Sequence, residues 1–142
     1  MPSVADLIIA SASDAPAIVA SDYALGTYRG IKLDGVDPPK LAALHSLLGG
    51  GDVATLMAQY YPVAEGSSAG PWLVPFPAEL IALLGKIDPQ KEASVAEGWA
   101  STDSVRQDGW SADVAQQFLS RVTTFARNAA YDHRELYLLV YR

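Results

Sequence analysis

Apolar residues recur at strand and helix spacings along most of the chain, and polar turns separate the apolar segments. The run VADLIIA is rich in Val and Ile and predicts a strand over residues 4–10. The next segment, DAPAIVAS, has Asp14 and Pro16 in its first turn and predicts a short helix. The stretch GTYRGIKLDG is interrupted by three glycines and predicts an extended loop.

The segment DPPKLAALHSLLGG predicts a longer helix. Asp37 suits the N-cap, because its carboxylate can accept from a free backbone N–H of the first turn. Pro38 suits the first helical position, where a missing N–H costs nothing. Leu41, Leu44 and Leu48 then form one apolar stripe.

Three consecutive glycines follow this helix in the stretch LLGGGD, which fits either a phosphate-binding loop or a junction between two helices. A phosphate loop of the Walker type needs Lys-Ser/Thr after its last glycine, whereas Asp52 follows here and would repel a phosphate. Gly49 stands where a glycine ends a helix, and Asp52 stands at the N-cap of a following helix that carries Val53, Leu56 and Tyr60. We therefore predict a helix junction.

The segments YYPVAE and GPWLVPFP contain aromatic and β-branched residues on either side of GSSA, and they predict a β-hairpin. Pro62, Pro71 and Pro75 cannot donate backbone hydrogen bonds, so these strands are expected at an edge of the sheet or in irregular form.

Three helices are predicted in the second half of the chain. The segment PAELIALLGKI predicts a helix of about nine residues, DPQKEASVAEGWAS a helix from 89 to about 100, and TDSVRQDG a polar loop. Ser111 caps the longest predicted helix. Its apolar stripe has the strongest helical periodicity in the chain and comprises Ala115, Phe118, Leu119, Val122, Phe125, Ala126 and Ala129.

The final segment, LYLLVY, is apolar without alternation, which is typical of a strand that is buried on both faces. Placed beside the N-terminal strand, it would form the centre of a small sheet. The sequence therefore predicts one α+β domain over residues 1–142, with about five to six helices packed on a small sheet that includes the N- and C-terminal strands.

Composition narrows the classes of function. The net charge is −6, and no cluster of Lys and Arg interrupts it, which argues against nucleic acid as a partner. The chain has no cysteine, which excludes thiolate metal sites and cysteine nucleophiles. No segment approaches the roughly twenty apolar residues of a membrane span. Because the start of the chain reads as a strand and not as a signal peptide, we expect a cytoplasmic protein that does not bind membranes.

The two histidines give no catalytic or metal-binding signature. His45 shares the apolar stripe of its helix, which favours a hydrogen-bonded core histidine over a residue that lines a pocket. His133 lies in the polar connection YDHRE. Neither histidine has a partner at metal-ligand spacing, and no GxSxG nucleophile motif is present. We therefore expect no metal, no cofactor and no catalytic residue.

Aromatic residues at the ends of predicted elements are the best candidates for binding. Trp72, Trp99 and Trp110 lie on a hairpin strand, at a helix end and in a loop, and Tyr61 and Glu65 lie on the hairpin. Large amphipathic aromatics are enriched at recognition surfaces. The alternative is that the tryptophans cover the core and bond their indole N–H to backbone.

The stretches GTYRGIKLDGVDPPKLAALHSLLGG and GPWLVPFPAELIALL, then an AEGWAST helix and a long helix that leads into ELYLLVY, resemble a group of small bacterial proteins. This layout also resembles the YfbM-like family of unknown function. The resemblance implies no specific activity, and the high alanine content agrees with a bacterial source.

These observations favour a non-enzymatic bacterial module that binds a protein or regulates one, in an immunity-type or adapter role. Its acidic, aromatic-bearing surface would favour a partner with a basic surface. Self-association stays open. The alternative is a small enzyme or small-molecule binder with a pocket near His45.

Overall fold

A five-stranded antiparallel sheet organises the protein, and its strand order is β2-β1-β5-β4-β3. The computed structural model describes residues 4–67 and 70–141. The strands are β1 (Val4–Ala10), β2 (Arg29–Lys32), β3 (Ala64–Glu65), β4 (Trp72–Pro75) and β5 (Glu135–Tyr141).

Seven α-helices are present in residues 4–67 and 70–141. They are α1 (Ala15–Ala20), α2 (Pro38–Gly49), α3 (Val53–Leu56), α4 (Ala78–Gly85), α5 (Glu92–Ala100), α6 (Asp103–Arg106) and α7 (Ala112–Tyr131). Short 3-10 helices at Met57–Gln59 and Pro89–Lys91 continue α3 and precede α5. The predicted α+β class is confirmed.

Strand β5 is the central strand, as its continuous apolar sequence predicts. It pairs with β1 along all seven residues and with β4 along four. Leu136, Leu138 and Leu139 are buried because helices cover both faces of the sheet at this strand. The predicted position beside the N-terminal strand is confirmed.

The core consists of two apolar clusters on opposite faces of the sheet. On one face, Leu7, Val74 and Leu138 pack against helices α2, α4, α5 and α7. On the other face, Ile8 and Leu139 pack against the short helix α1. All seven residues of the predicted α7 stripe belong to the larger cluster, either as buried or as partly buried residues.

Two segments that were predicted to be loops form regular structure. Arg29–Lys32 is strand β2, because its backbone pairs with Asp6 to Ile9 of β1. Gly30 is required in this strand, because a Cβ there would lie 2.2 Å from the carbonyl oxygen of Leu7. The predicted TDSVRQDG loop contains the one-turn helix α6, whose Val105 is fully buried and anchors it.

The predicted hairpin is confirmed, because β3 and β4 pair antiparallel at Ala64–Leu73 and Glu65–Trp72. The last two residues of its predicted GSSA turn, 68 and 69, lie outside the described residues. The expectation that its strands lie at the edge holds for β3 and is wrong for β4. Strand β4 lies between β3 and β5. Its proline is tolerated there because Pro75 is the last residue of the strand, where a missing N–H interrupts little of the pairing.

The three glycines form a helix junction, with one shift from the predicted position. Helix α2 includes Gly49, and Gly50 is the cap, with a φ of 79° that suits glycine. Gly49 instead permits close packing, since a Cβ there would lie 2.7 Å from Leu83 of α4. Asp52 caps α3 as predicted, because its side chain accepts from the N–H of Thr55.

In the described part of the chain no helix by itself combines the length and the apolar character of a membrane span. Pro38–Gly49 and Val53–Gln59 meet that test only when taken together, and they are bent by 120° at the junction.

The position of β5 predicts that its side chains contribute strongly to stability. Leu138→Ala should lower the free energy of unfolding by about 2–5 kcal/mol, because the cavity between Leu7 and Val74 cannot close completely. Leu47→Ala is the matched control, since Leu47 is 44% exposed, and it should cost about 1 kcal/mol or less. Urea unfolding of both variants measures this. Equal losses would show that β5 is not a central packing element.

Candidate functional site

The structure divides the predicted binding residues into three places. Trp99 and Trp110 lie together beside the start of α2. His45 lies in the core. Tyr61, Glu65 and Trp72 lie on or next to the hairpin at the far end of the sheet.

Trp99 is a core residue and does not belong to an exposed surface. Its side chain is fully buried, and its Nε1 donates to the carbonyl oxygen of Lys40 at 2.9 Å. Its ring meets Trp110 edge to face, with centroids 5.5 Å apart. Trp110 is half-buried and stacks on Phe118 at 4.4 Å. These two tryptophans therefore cover the core, as the alternative interpretation held.

Lys40 joins this aromatic cluster, and sequence reasoning did not single it out. Only 2% of its side chain is exposed, and its Nζ lies 3.0 Å from Asp37 Oδ2 and 2.5 Å from Asp108 Oδ2. The same Nζ lies 5.4 Å from the centroid of the Trp110 ring, within cation–π range. The signal that could have revealed it is its position four residues before Leu44, on the buried side of α2.

His45 is fully buried and bridges two elements. Its Nδ1 lies 2.9 Å from the hydroxyl of Tyr60, and its Nε2 lies 3.5 Å from Glu79 Oε1 of α4 without a hydrogen bond. The tautomer protonated on Nε2 fits both neighbours, because the proton then faces a carboxylate and Nδ1 accepts from Tyr60. His45 thus holds Tyr60 in place.

Tyr60 is not prepared for acid–base chemistry. Burial, and secondarily the charge of Glu79, raises the pKa of its hydroxyl well above the ordinary 10.0. The phenol therefore stays protonated at neutral pH, and the imidazole beside it has no exposed surface that a substrate could reach. The Glu79–His45–Tyr60 arrangement positions a ring and does not activate a nucleophile.

The ring of Tyr60 contributes to two adjoining depressions, which we call the Tyr60 groove. They have volumes of about 450 and 240 Å³ and share Pro38, Tyr60 and Pro62. The larger one adds Met57 and Tyr61 among its apolar walls. The smaller one is closed by the sheet residues Trp72, Val74 and Val140. Tyr61 is 72% exposed, so a large aromatic surface faces solvent here.

The groove is lined by no basic residue. A third depression, of about 500 Å³, adjoins it at Pro39 and includes Asp103, whose carboxylate pairs with Arg106 at 3.0 Å. Among the residues that line these three depressions there is no Lys or Arg. Glu65 lies directly opposite Trp72 in the β3–β4 register, so the two side chains share a face of the hairpin. This site brings Tyr61, Glu65 and Trp72 together and leaves out His45, Trp99 and Trp110.

A second polar pair lies inside the sheet. Asp6 of β1 is 2% exposed, and its Oδ2 accepts from the hydroxyl of Tyr141 at 2.8 Å. Burial raises the pKa of the Tyr141 hydroxyl, and the hydrogen bond and charge of Asp6 add to that shift. Lys32 of β2 approaches the other oxygen of Asp6 at 3.6 Å. The Asp6 carboxylate is buried, whereas Tyr141 is half-buried and Lys32 is exposed.

His133 lies between α7 and β5 with a positive φ of 55°, where it makes the tight connection between them. Among residues 4–67 and 70–141, no group of three or more His, Cys, Asp or Glu side chains could hold a metal ion.

No family model, curated protein or solved structure matches this chain significantly. The resemblance to small bacterial proteins therefore stays a prediction.

The raised pKa values of Tyr60 and Tyr141 predict a loss of stability at alkaline pH. Their pKa values are raised in the folded state, so stability is complete below the ordinary pKa of 10.0 and declines as pH rises above it. Tyr60→Phe removes one such group, so the variant does not lose this part of the stability as pH rises. The difference in the free energy of unfolding between wild type and Tyr60→Phe should therefore shrink by about 1 kcal/mol from pH 10 to pH 11. At neutral pH that difference is about 1–3 kcal/mol, because Nδ1 of His45 loses its donor.

Urea unfolding at pH 8, 10 and 11 measures this change. Tyr131→Phe is the matched control, since Tyr131 is 86% exposed, and it should keep the alkaline loss of the wild type. A deficit of Tyr60→Phe that stays constant across this range would contradict the role assigned to the buried hydroxyl.

Proposed function

We propose that this protein is a non-enzymatic binding module that recognises a protein partner through the Tyr60 groove. The observation that carries the proposal is the meeting of the exposed ring of Tyr61 with adjoining apolar depressions that also contain Trp72. Contiguous apolar surface with aromatic residues is characteristic of interaction sites.

The charge distribution supports a basic partner. The protein has a net charge of −6, the depressions lack basic residues, and the exposed Glu65 lies opposite Trp72, which lines one of them. Opposite charge on the partner would accelerate association and make it sensitive to salt. An immunity-type or adapter role in the bacterial cytoplasm is the setting we propose for such binding.

The groove is built on rigid elements, which favours binding. Pro38 and Pro39 form the first turn of α2, Trp72 and Val74 belong to a strand that is paired on both sides, and His45 holds Tyr60. Residues held by such elements lose little conformational entropy when a partner binds. The alternative, an enzyme or small-molecule binder with a pocket at His45, has less support because the imidazole is fully buried.

Affinity capture with matched variants tests this proposal. Wild type, Tyr61→Ala and Tyr131→Ala serve as baits, since both tyrosines are exposed and only Tyr61 lines the groove. We expect a partner that wild type and Tyr131→Ala retain and that Tyr61→Ala binds at least tenfold more weakly, because truncation of an aromatic anchor commonly costs about 2 kcal/mol or more.

Trp72→Ala should show the same loss, and its melting temperature must be measured as well, since Trp72 is half-buried. Partners that bind all four proteins equally would contradict a role for the groove. A rise of salt from 50 to 300 mM should weaken the specific interaction.

A further inference from the structure

We infer that the Tyr60 groove accepts a proline-rich segment in the polyproline II conformation, with a basic residue at the end that lies next to Glu65. This inference rests on the proposed function and names the class of partner.

The walls of the groove have the chemistry that such segments require. The exposed Tyr61 and the half-buried Trp72 supply aromatic faces, and Pro38 and Pro62 supply rigid rings beside them. Proline-rich segments dock into aromatic-lined grooves, because flat rings pack on pyrrolidine rings and the ligand is ordered before it binds.

The two depressions of the groove offer two points of contact to a ligand with a repeating face. Its two depressions adjoin at Pro38, Tyr60 and Pro62, which line both of them. A polyproline II segment presents the same face every three residues, about 9 Å along its axis. One prolyl contact in each depression, with the intervening residues above the part that both share, is the arrangement of the ligand that we infer.

Two other modes of peptide recognition fit less well. An added strand beside β4 is disfavoured, because β3 already pairs with Trp72 and Leu73, and Pro75 has no N–H to offer. A helix has a diameter of about 10–12 Å with its side chains and needs one continuous trough. Depressions of about 450 and 240 Å³ are small against that diameter.

The charges around the groove indicate at which end of the ligand the basic residue lies. Glu65 shares a face with Trp72, which closes the smaller depression. No Lys or Arg lines either depression, so nothing there repels a cationic side chain. An Arg that follows the prolyl contact at Trp72 would meet the carboxylate of Glu65.

Selection from random dodecapeptides displayed on phage tests the inference with the full chain as target. We expect the enriched sequences to contain two prolines three residues apart and an Arg or Lys at one end. The synthetic form of the most enriched peptide is then titrated into the protein while the indole N–H signals of Trp72, Trp99 and Trp110 are followed by NMR. The Trp72 signal, assigned with Trp72→Phe, should move most.

Variants of both molecules separate the contributions. Replacing both prolines of the peptide by alanine, or Tyr61 by alanine, should weaken binding about tenfold or more, whereas Tyr131→Ala should not change it. Glu65→Gln should weaken binding about threefold, and Glu97→Gln, an exposed change on α5, should have no effect.

Peptides without paired prolines whose binding still depends on Tyr61 would overturn this inference and leave the proposed function standing; helix-forming sequences would be such a result. Enrichment of no sequence, or binding that Tyr61→Ala does not change, would contradict both.

Discussion

The ammonium group of Lys40 lies inside the protein, where a charge is tolerated only if anions contact it. Asp37 and Asp108 supply these contacts, and the ring of Trp110 lies over the same group. Asp37 also caps α2, and Asp108 lies just before α7. One buried cation therefore joins the N-terminus of α2 to the segment that leads into α7. This cluster contributes to the position of α2, together with the buried Leu41 and Leu44.

The Tyr60 groove depends on α2 at two points. The first turn of α2 carries Pro38 and Pro39, next to the charges that Lys40 gathers. His45, on the buried side of the same helix, bonds to the hydroxyl of Tyr60 and fixes the ring that both depressions share. Lys40 and His45, two polar residues of the interior, thus help to position the residues of the Tyr60 groove, because both belong to α2.

The elements that could be predicted from the sequence are those with a local signal. The α7 stripe and the apolar runs of β1 and β5 have such a signal. The spacing of their apolar residues indicates which sides of these elements are buried. Strand β2 could not be predicted, because its four residues form a strand only by pairing with β1. Tyr61, Glu65 and Trp72 could be predicted as candidate binding residues from their residue types and their place on the hairpin. The depressions that Tyr61 and Trp72 form with Pro38 and Val140 could not, because those residues are distant in the chain.

The central claim is that Asp108 and Lys40 form one paired unit that holds α2. Urea unfolding of Asp108→Ala, Lys40→Met and the double variant tests it most directly. Asp108→Ala should cost about 2 kcal/mol or more, because a buried ammonium then has one carboxylate partner, and adding Lys40→Met should recover most of that loss. If Asp108→Ala costs less than about 0.5 kcal/mol, or if the two single losses simply add in the double variant, then the pair does not hold α2 in place.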